Sequence, residues 1–155
     1  IMDWTNILFS FGGRLNRAKY WLVVLINVIV WLAFMIAAMT TGGMNALYGG
    51  GMGGSALVII LLGVAVGIFS FWTGLATAIK RLHDREKSGW WILVFWLLPG
   101  ILNAAGMSAG DIPALILMIA SFGLSIWGFV EIACLKGTTG PNTYGPDPLP
   151  AAAAA

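Results

Sequence analysis

From Tyr20 to about Thr41, and again from about Ala56 to Ile79, the chain runs without one charged side chain. A helix needs about 20 apolar residues to cross the hydrocarbon core of a bilayer, and there every backbone N–H and C=O must be satisfied within the segment. Both stretches therefore read as transmembrane helices. A third, Trp90 to about Ala105, is shorter and is interrupted by Pro99-Gly100, where proline removes a backbone donor. It either spans with a kink or ends near Leu98 and continues irregularly. The fourth, Ile112 to Leu135, is long enough, with Asp111 expected as its N-cap and Pro113 in its first turn. Its one anomaly is Glu131.

Composition narrows the class further. The 155 residues are 59% hydrophobic and only 9% charged, against about 25% charged in soluble domains. Four spans would use about half the chain, leaving room for one small helical domain, residues 2–148, and none for a soluble catalytic domain. Eight Lys and Arg and a net charge of +2 make no basic stripe, so no nucleic-acid partner is expected. Cys134 has no disulfide partner in the chain, and with His83 as the one other soft ligand no zinc site can be assembled. Neither a metal nor a cofactor is expected. Ile1 precedes a candidate initiator, Met2, and the tail 149–155 is expected to be disordered or artefactual; both are set aside.

Orientation follows from the positive charges. Arg14, Arg17 and Lys19 precede the first span, Lys80, Arg81, Arg85 and Lys87 lie between the second and third, and Lys136 follows the fourth. The connections 42–55 and 106–111 hold no Lys or Arg. The positive-inside rule places every basic residue and both termini in the cytoplasm. That needs an even number of spans, which counts the third stretch as a full crossing. The first span lacks the cleavage site of a signal peptide and is expected to stay as an anchor.

Ahead of it, Trp4, Ile7, Leu8 and Phe11 recur at helical spacing opposite Asp3, Asn6 and Ser10, the pattern of a short interfacial helix stopped by Gly12-Gly13. The connection Gly42–Gly54 has seven glycines but no strand-turn-helix fingerprint for a phosphate loop, so a flexible periplasmic loop is expected. Gly63, Gly67, Ser70, Gly74 and Ala78 share one face of the second span, and small residues let helices approach closely in lipid. Packing within the chain is the favoured reading over a homodimer seam. Trp21, Trp90 and Trp91 stand where an aromatic belt is expected.

The strongly polar residues fall in three segments, 13–21, 80–91 and 137–148. Short connections between helices bring all three to one end of a bundle, where Arg14, Arg17, Arg81, His83, Asp84, Glu131, Asn142, Tyr144 and Asp147 form a candidate polar cluster. A lone carboxylate inside a span is costly unless paired. Arg14, Arg17 and Arg81 are the expected partners of Glu131, and a bracing role is favoured over a proton or ligand site. His83-Asp84 resembles part of a catalytic triad, but neighbours on a helix point about 100° apart and no nucleophile is marked as activated. Asp84 is expected to pair with Lys80 or with an arginine of the first segment. No catalytic residue is assigned.

Phe11-Gly12-Gly13-Arg14 with Arg17 and Tyr20-Trp21, then Lys80-Arg81-Leu82-His83-Asp84 with Ser88-Gly89-Trp90-Trp91, then Gly137-Thr138 with Gly140, Asn142, Tyr144-Gly145, Asp147 and Pro148 follow in a set order and spacing. In these the chain resembles the bacterial inner-membrane family catalogued as domain of unknown function 805, from about Met2 to Pro148. It departs from that pattern at Lys80, which stands for an arginine, at Arg85-Glu86-Lys87, which stands for a Thr-Gly-Arg-like turn, and at Thr143, which stands for a basic residue. The resemblance implies a small multi-span inner-membrane protein and carries no biochemical activity.

The expected architecture is an all-α four-transmembrane-helix bundle with a short N-terminal interfacial helix and both termini cytoplasmic. The expected function is non-enzymatic: a scaffold or accessory subunit that meets other membrane protein subunits through its apolar flanks within the lipid bilayer. The alternative is an anionic-lipid or small-anion binding protein using Arg14, Arg17, Arg81 and His83. A transporter ranks third, since there is no internal repeat and the spans are nearly free of polar residues.

Overall fold

Helix α1 (Trp4–Phe9) forms because Asp3 caps it, its carboxylate accepting the Asn6 N–H at 3.1 Å. It ends sooner than the apolar spacing suggested: Ser10 is already extended, its Oγ accepts the Gly12 N–H, and Phe11 lies outside the helix. Gly13, at φ +84°, makes the turn that follows. The computed structural model describes residues 3–40 and 57–149, with backbone alone at 54–56. The expected periplasmic loop and the tail from residue 150 lie outside the described residues.

Among the described residues, three further helices are long and apolar enough to cross a membrane: α2 (Arg17–Thr40), α3 (Gly54–Asp84), and α5 (Asp111–Phe129), which continues as a π-helical turn, Val130–Cys134. Between α3 and α5 lies a shorter apolar helix, a π-turn Leu93–Leu97 running into α4 (Leu98–Met107). Among the described residues there is no strand, only an isolated bridge between Asn142 and Gly145.

The chain divides into two units, Leu22–Gly74 and Ile1–Trp21 with Leu75–Ala155. In the first, α2 and α3 run antiparallel: Asn27 exchanges hydrogen bonds with Thr73 at 3.2–3.3 Å, and the Phe34 ring lies against Gly63, where a Cβ would come within 2.9 Å of it. Gly63 thus serves packing within the chain, as the small-residue face suggested. Gly67 on that face meets nothing.

In the second unit α4 and α5 form an antiparallel hairpin. Asn103 Nδ2 donates to Ser121 Oγ at 2.8 Å, and Ser121 Oγ donates to the Pro99 carbonyl at 3.0 Å. Pro99 neither ends the helix nor leaves it irregular. The preceding turn widens to i→i−5, with the Leu98 N–H reaching the Leu93 carbonyl, and Pro99 falls at the start of α4 where a missing donor is tolerated. At the head of α5 the N-cap is Gly110, not Asp111; Asp111 is the first helical residue and its charge complements the helix dipole. Gly128 lets α5 close on Phe95, whose ring packs edge-on against Trp127 at 5.2 Å. Trp91 stacks on Phe95 at 5.7 Å, so this tryptophan packs internally, whereas Trp90 is 77% exposed.

Burial is inverted relative to a soluble protein. The two largest fully buried side chains are Arg81 and Lys80, while Ile36, Ile68 and Phe122 are each more than 60% exposed. Such an apolar exterior is stable only in a medium as apolar as itself.

Candidate functional site

A helix C-terminus leaves four carbonyls without intrahelical donors and carries the negative end of the helix dipole. Where α5 and its π-turn end, side chains answer those carbonyls one after another. Arg81 Nε donates to Ile132 O at 2.8 Å, Trp21 Nε1 to Ala133 O at 3.2 Å, and Arg17 to Cys134 O at 3.1 Å. Arg81 again reaches Leu135 O at 2.6 Å, and Arg85 reaches Lys136 O at 2.9 Å. Five consecutive carbonyls are thus held by three arginines and an indole.

The chain beyond wraps Arg14. Its Nε donates to Asp84 Oδ1 at 3.0 Å, and its terminal nitrogens go to Thr138 O, Thr138 Oγ1, Gly140 O and Gly145 O. A guanidinium has five N–H donors, and these contacts engage them all. Arg81 closes the same knot through Asp84 Oδ2 at 2.6 Å and Leu15 O at 3.2 Å. Asp84 therefore bridges two buried arginines, with side-chain exposure of 4% against their 1% and 0%. Such a pair is held by near-complete hydrogen bonding rather than by charge alone. Gly137 permits it: a Cβ there would lie 2.0 Å from Asp84 Oδ2.

The C-terminal segment also caps α3. Thr138 N donates to Asp84 O at 2.8 Å and Asn142 Nδ2 to His83 O at 2.9 Å. Asn142 Oδ1 in turn accepts the Tyr144 N–H, which sets the Tyr144 ring flat on His83, 4.0 Å between centroids. His83 Nδ1 contacts Gly13 O at 3.2 Å. Asp147 accepts the Gly140 and Leu149 N–H groups at 2.8 and 2.9 Å, and these bonds to its charged form hold its pKa below the ordinary value.

Every residue of the expected cluster thus lies at the junction of segments 13–21, 80–91 and 131–149, with several pairings redrawn. Asp84 does take an arginine of the first segment, Arg14, but not Lys80. Lys80 Nζ instead donates to Asn6 O and Ile7 O, carbonyls of α1. Glu131 pairs with none of Arg14, Arg17 or Arg81. Its partners are Arg85 at 3.0 Å and Lys87 at 3.8 Å, and Lys87 also lies over the Trp91 ring at 5.1 Å. The reason is that the other guanidiniums are held by Asp84 and by carbonyls. Arg85, Lys87, Trp21 and Gly137 were not among the residues expected in the cluster; their signal was membership of segments already assigned to one end. No group of three His, Cys, Asp or Glu able to hold a metal occurs among the described residues.

Among the described residues, three helices long and apolar enough to cross a membrane, together with an apolar exterior, mark a membrane protein. The chain belongs to the family described as "Protein of unknown function (DUF805)", whose model matches residues 8–146. It is similar to inner membrane protein YhaH of Escherichia coli K12, 29% identical over 95% of this chain and 97% of the relative. Uncharacterized protein YiiR of the same strain is 30% identical over 95% of this chain and 89% of its own length. Inner membrane protein YhaI is 29% identical over 90% and 86%. These relatives and the apolar helices support a bacterial inner-membrane location. No solved structure matches the chain.

Proposed function

We propose that the protein is a non-enzymatic accessory or scaffold subunit of the bacterial inner membrane, with four crossings and both termini in the cytoplasm. One observation carries the reading: the guanidinium of Arg14 has all its donors on protein acceptors, and Arg81 has each of its nitrogens so engaged. A cluster occupied in this way is a brace for a rigid cap. The anion-binding alternative loses two of its four residues by the same observation, since a ligand phosphate would have to displace buried backbone carbonyls. Two polar pairs within the spans, Asn27 with Thr73 and Asn103 with Ser121, satisfy one another, which weighs against a transport path through them.

What then remains available for interaction is the apolar flank together with the rim of the cap. Photoreactive residues at Ile29 of α2 and Ile119 of α5, both more than half exposed, test this in intact membranes. The reading expects a discrete adduct with one other membrane protein, identified by mass spectrometry and reproduced by reverse tagging. Adducts with lipid alone at both positions would overturn it.

A further inference from the structure

A cavity of about 340 Å³ opens between α1 and the end of α3. Asp3, Asn6 and Ile7 line it from α1, Leu15 and Lys19 from the start of the first span, and Lys80 from α3. Arg14 also borders it, but that guanidinium has its donors engaged by Asp84 and by the carbonyls of Thr138 and Gly140. Charge in the remaining wall is not neutralised by contact: among the described residues the ion pairs are Arg14 and Arg81 with Asp84, and Arg85 and Lys87 with Glu131. Lys19, Lys80 and Asp3 enter none. An ammonium has three donors, and Lys80 uses two on Asn6 O and Ile7 O. Asp3 uses Oδ1 to cap α1. Two cations and one carboxylate thus share a cavity with room for a small polar group and hold hydrogen-bonding capacity in reserve.

We propose that this cavity binds a phosphoethanolamine group, its phosphate oxygens accepting from Lys19 and Lys80 and its ammonium donating to Asp3. A phosphate alone would satisfy the lysines and leave Asp3 repelling it; a zwitterion of this polarity satisfies both signs. The membrane is the favoured source, because α1 exposes Trp4 and Phe9 beside the cavity and Lys19 stands in the first turn of α2, the depth at which headgroups lie. The proposal rests on the reading of α1 as interfacial.

The test is native mass spectrometry of the full chain extracted in mild detergent and offered equal phosphatidylethanolamine and phosphatidylglycerol. Wild type should retain phosphatidylethanolamine selectively. Lys19→Gln should weaken retention about tenfold, the effect of one lost charge-assisted hydrogen bond. Asp3→Asn keeps a capping oxygen and should move the preference to phosphatidylglycerol. Soluble phosphoethanolamine at millimolar concentration distinguishes the sources: failure to displace the lipid supports a bilayer ligand, and displacement supports the headgroup chemistry with a soluble source. Equal retention of both lipids by wild type and both variants would overturn the proposal. The cross-linking result at Ile29 and Ile119 does not depend on these variants, so either reading can fail alone.

Discussion

Gly137 is the residue on which the buried charge knot turns. Any side chain there drives a carbon into the Asp84 carboxylate, and moving Asp84 leaves Arg14 and Arg81 buried with a contact unmade. Removing one partner of a buried pair costs about 3–5 kcal/mol. Gly137→Ala should therefore lower thermal stability in detergent by that order, read from tryptophan fluorescence, and a melt equal to wild type would exclude the arrangement. Glu86 makes the opposite case. It adopts φ +58°, a left-handed conformation that costs a non-glycine residue roughly 1–2 kcal/mol, and its carboxylate holds only an exposed bond from Thr143. Glu86→Gly should raise the melting temperature, and a clear drop would show that the Thr143 contact outweighs the strain. At this scale residue types were legible and partners were not. Glu131 was marked by its lone charge in a span, but its pairing with Arg85 depended on which guanidiniums the carbonyls of the last helix had already taken.

Those carbonyls belong to the end of an element, and there the chain uses arginine as a cap. Positive charge at the ends of membrane helices is ordinarily explained by topology; here it also satisfies the orphan acceptors where α5 and its π-turn end. The two roles separate by experiment. Arg81→Lys keeps the charge and loses the planar fork that reaches Ile132, Leu135, Leu15 and Asp84 together. It should cost at least about 3 kcal/mol, the worth of two charge-assisted hydrogen bonds at roughly 1.5 kcal/mol each. Arg17→Lys, at an exposed position with one contact, should melt close to wild type. A wild-type melt in both would mean that charge alone matters. Glu131→Gln tests the neighbouring brace: lower stability is expected, with Arg85 and Lys87 left facing one another, and an unchanged melt would sink the bracing role. Helix identity was readable from charge-free runs, and the small-residue face found its use at Gly63. Helix ends were less so. The ends of α1 and α5 were misjudged by one or two residues because local capping by Ser10 and Gly110 decided them, and the π-turns that absorb Pro99 and end the last span leave no pattern in composition.

For the molecule as a whole, the proposed topology turns on the third crossing. The Leu93–Leu97 turn and α4 together hold 15 residues, about 22 Å at 1.5 Å per residue, short of the roughly 30 Å hydrocarbon core. Two features favour a crossing nonetheless. Trp90 and Trp91 extend the apolar run at one end, and at the other the hairpin connection to α5 carries no Lys or Arg, so no charge opposes its passage. A failed crossing would put Lys136 and the segment 137–148 on the side opposite Arg14 and Arg81, yet the folded protein joins Arg14 to the carbonyls of Thr138, Gly140 and Gly145 at one site. A reporter fused after Pro148 should accordingly be cytoplasmic, and one inserted between Gly106 and Asp111 periplasmic. A periplasmic signal after Pro148 would mean an odd number of crossings. Adding two lysines at Ser108 and Ala109 sharpens the test, because short connections obey the charge rule. It should trap part of the population with α4 uncrossed and lower its stability, since such a chain cannot bring the segment following α5 back to Arg14.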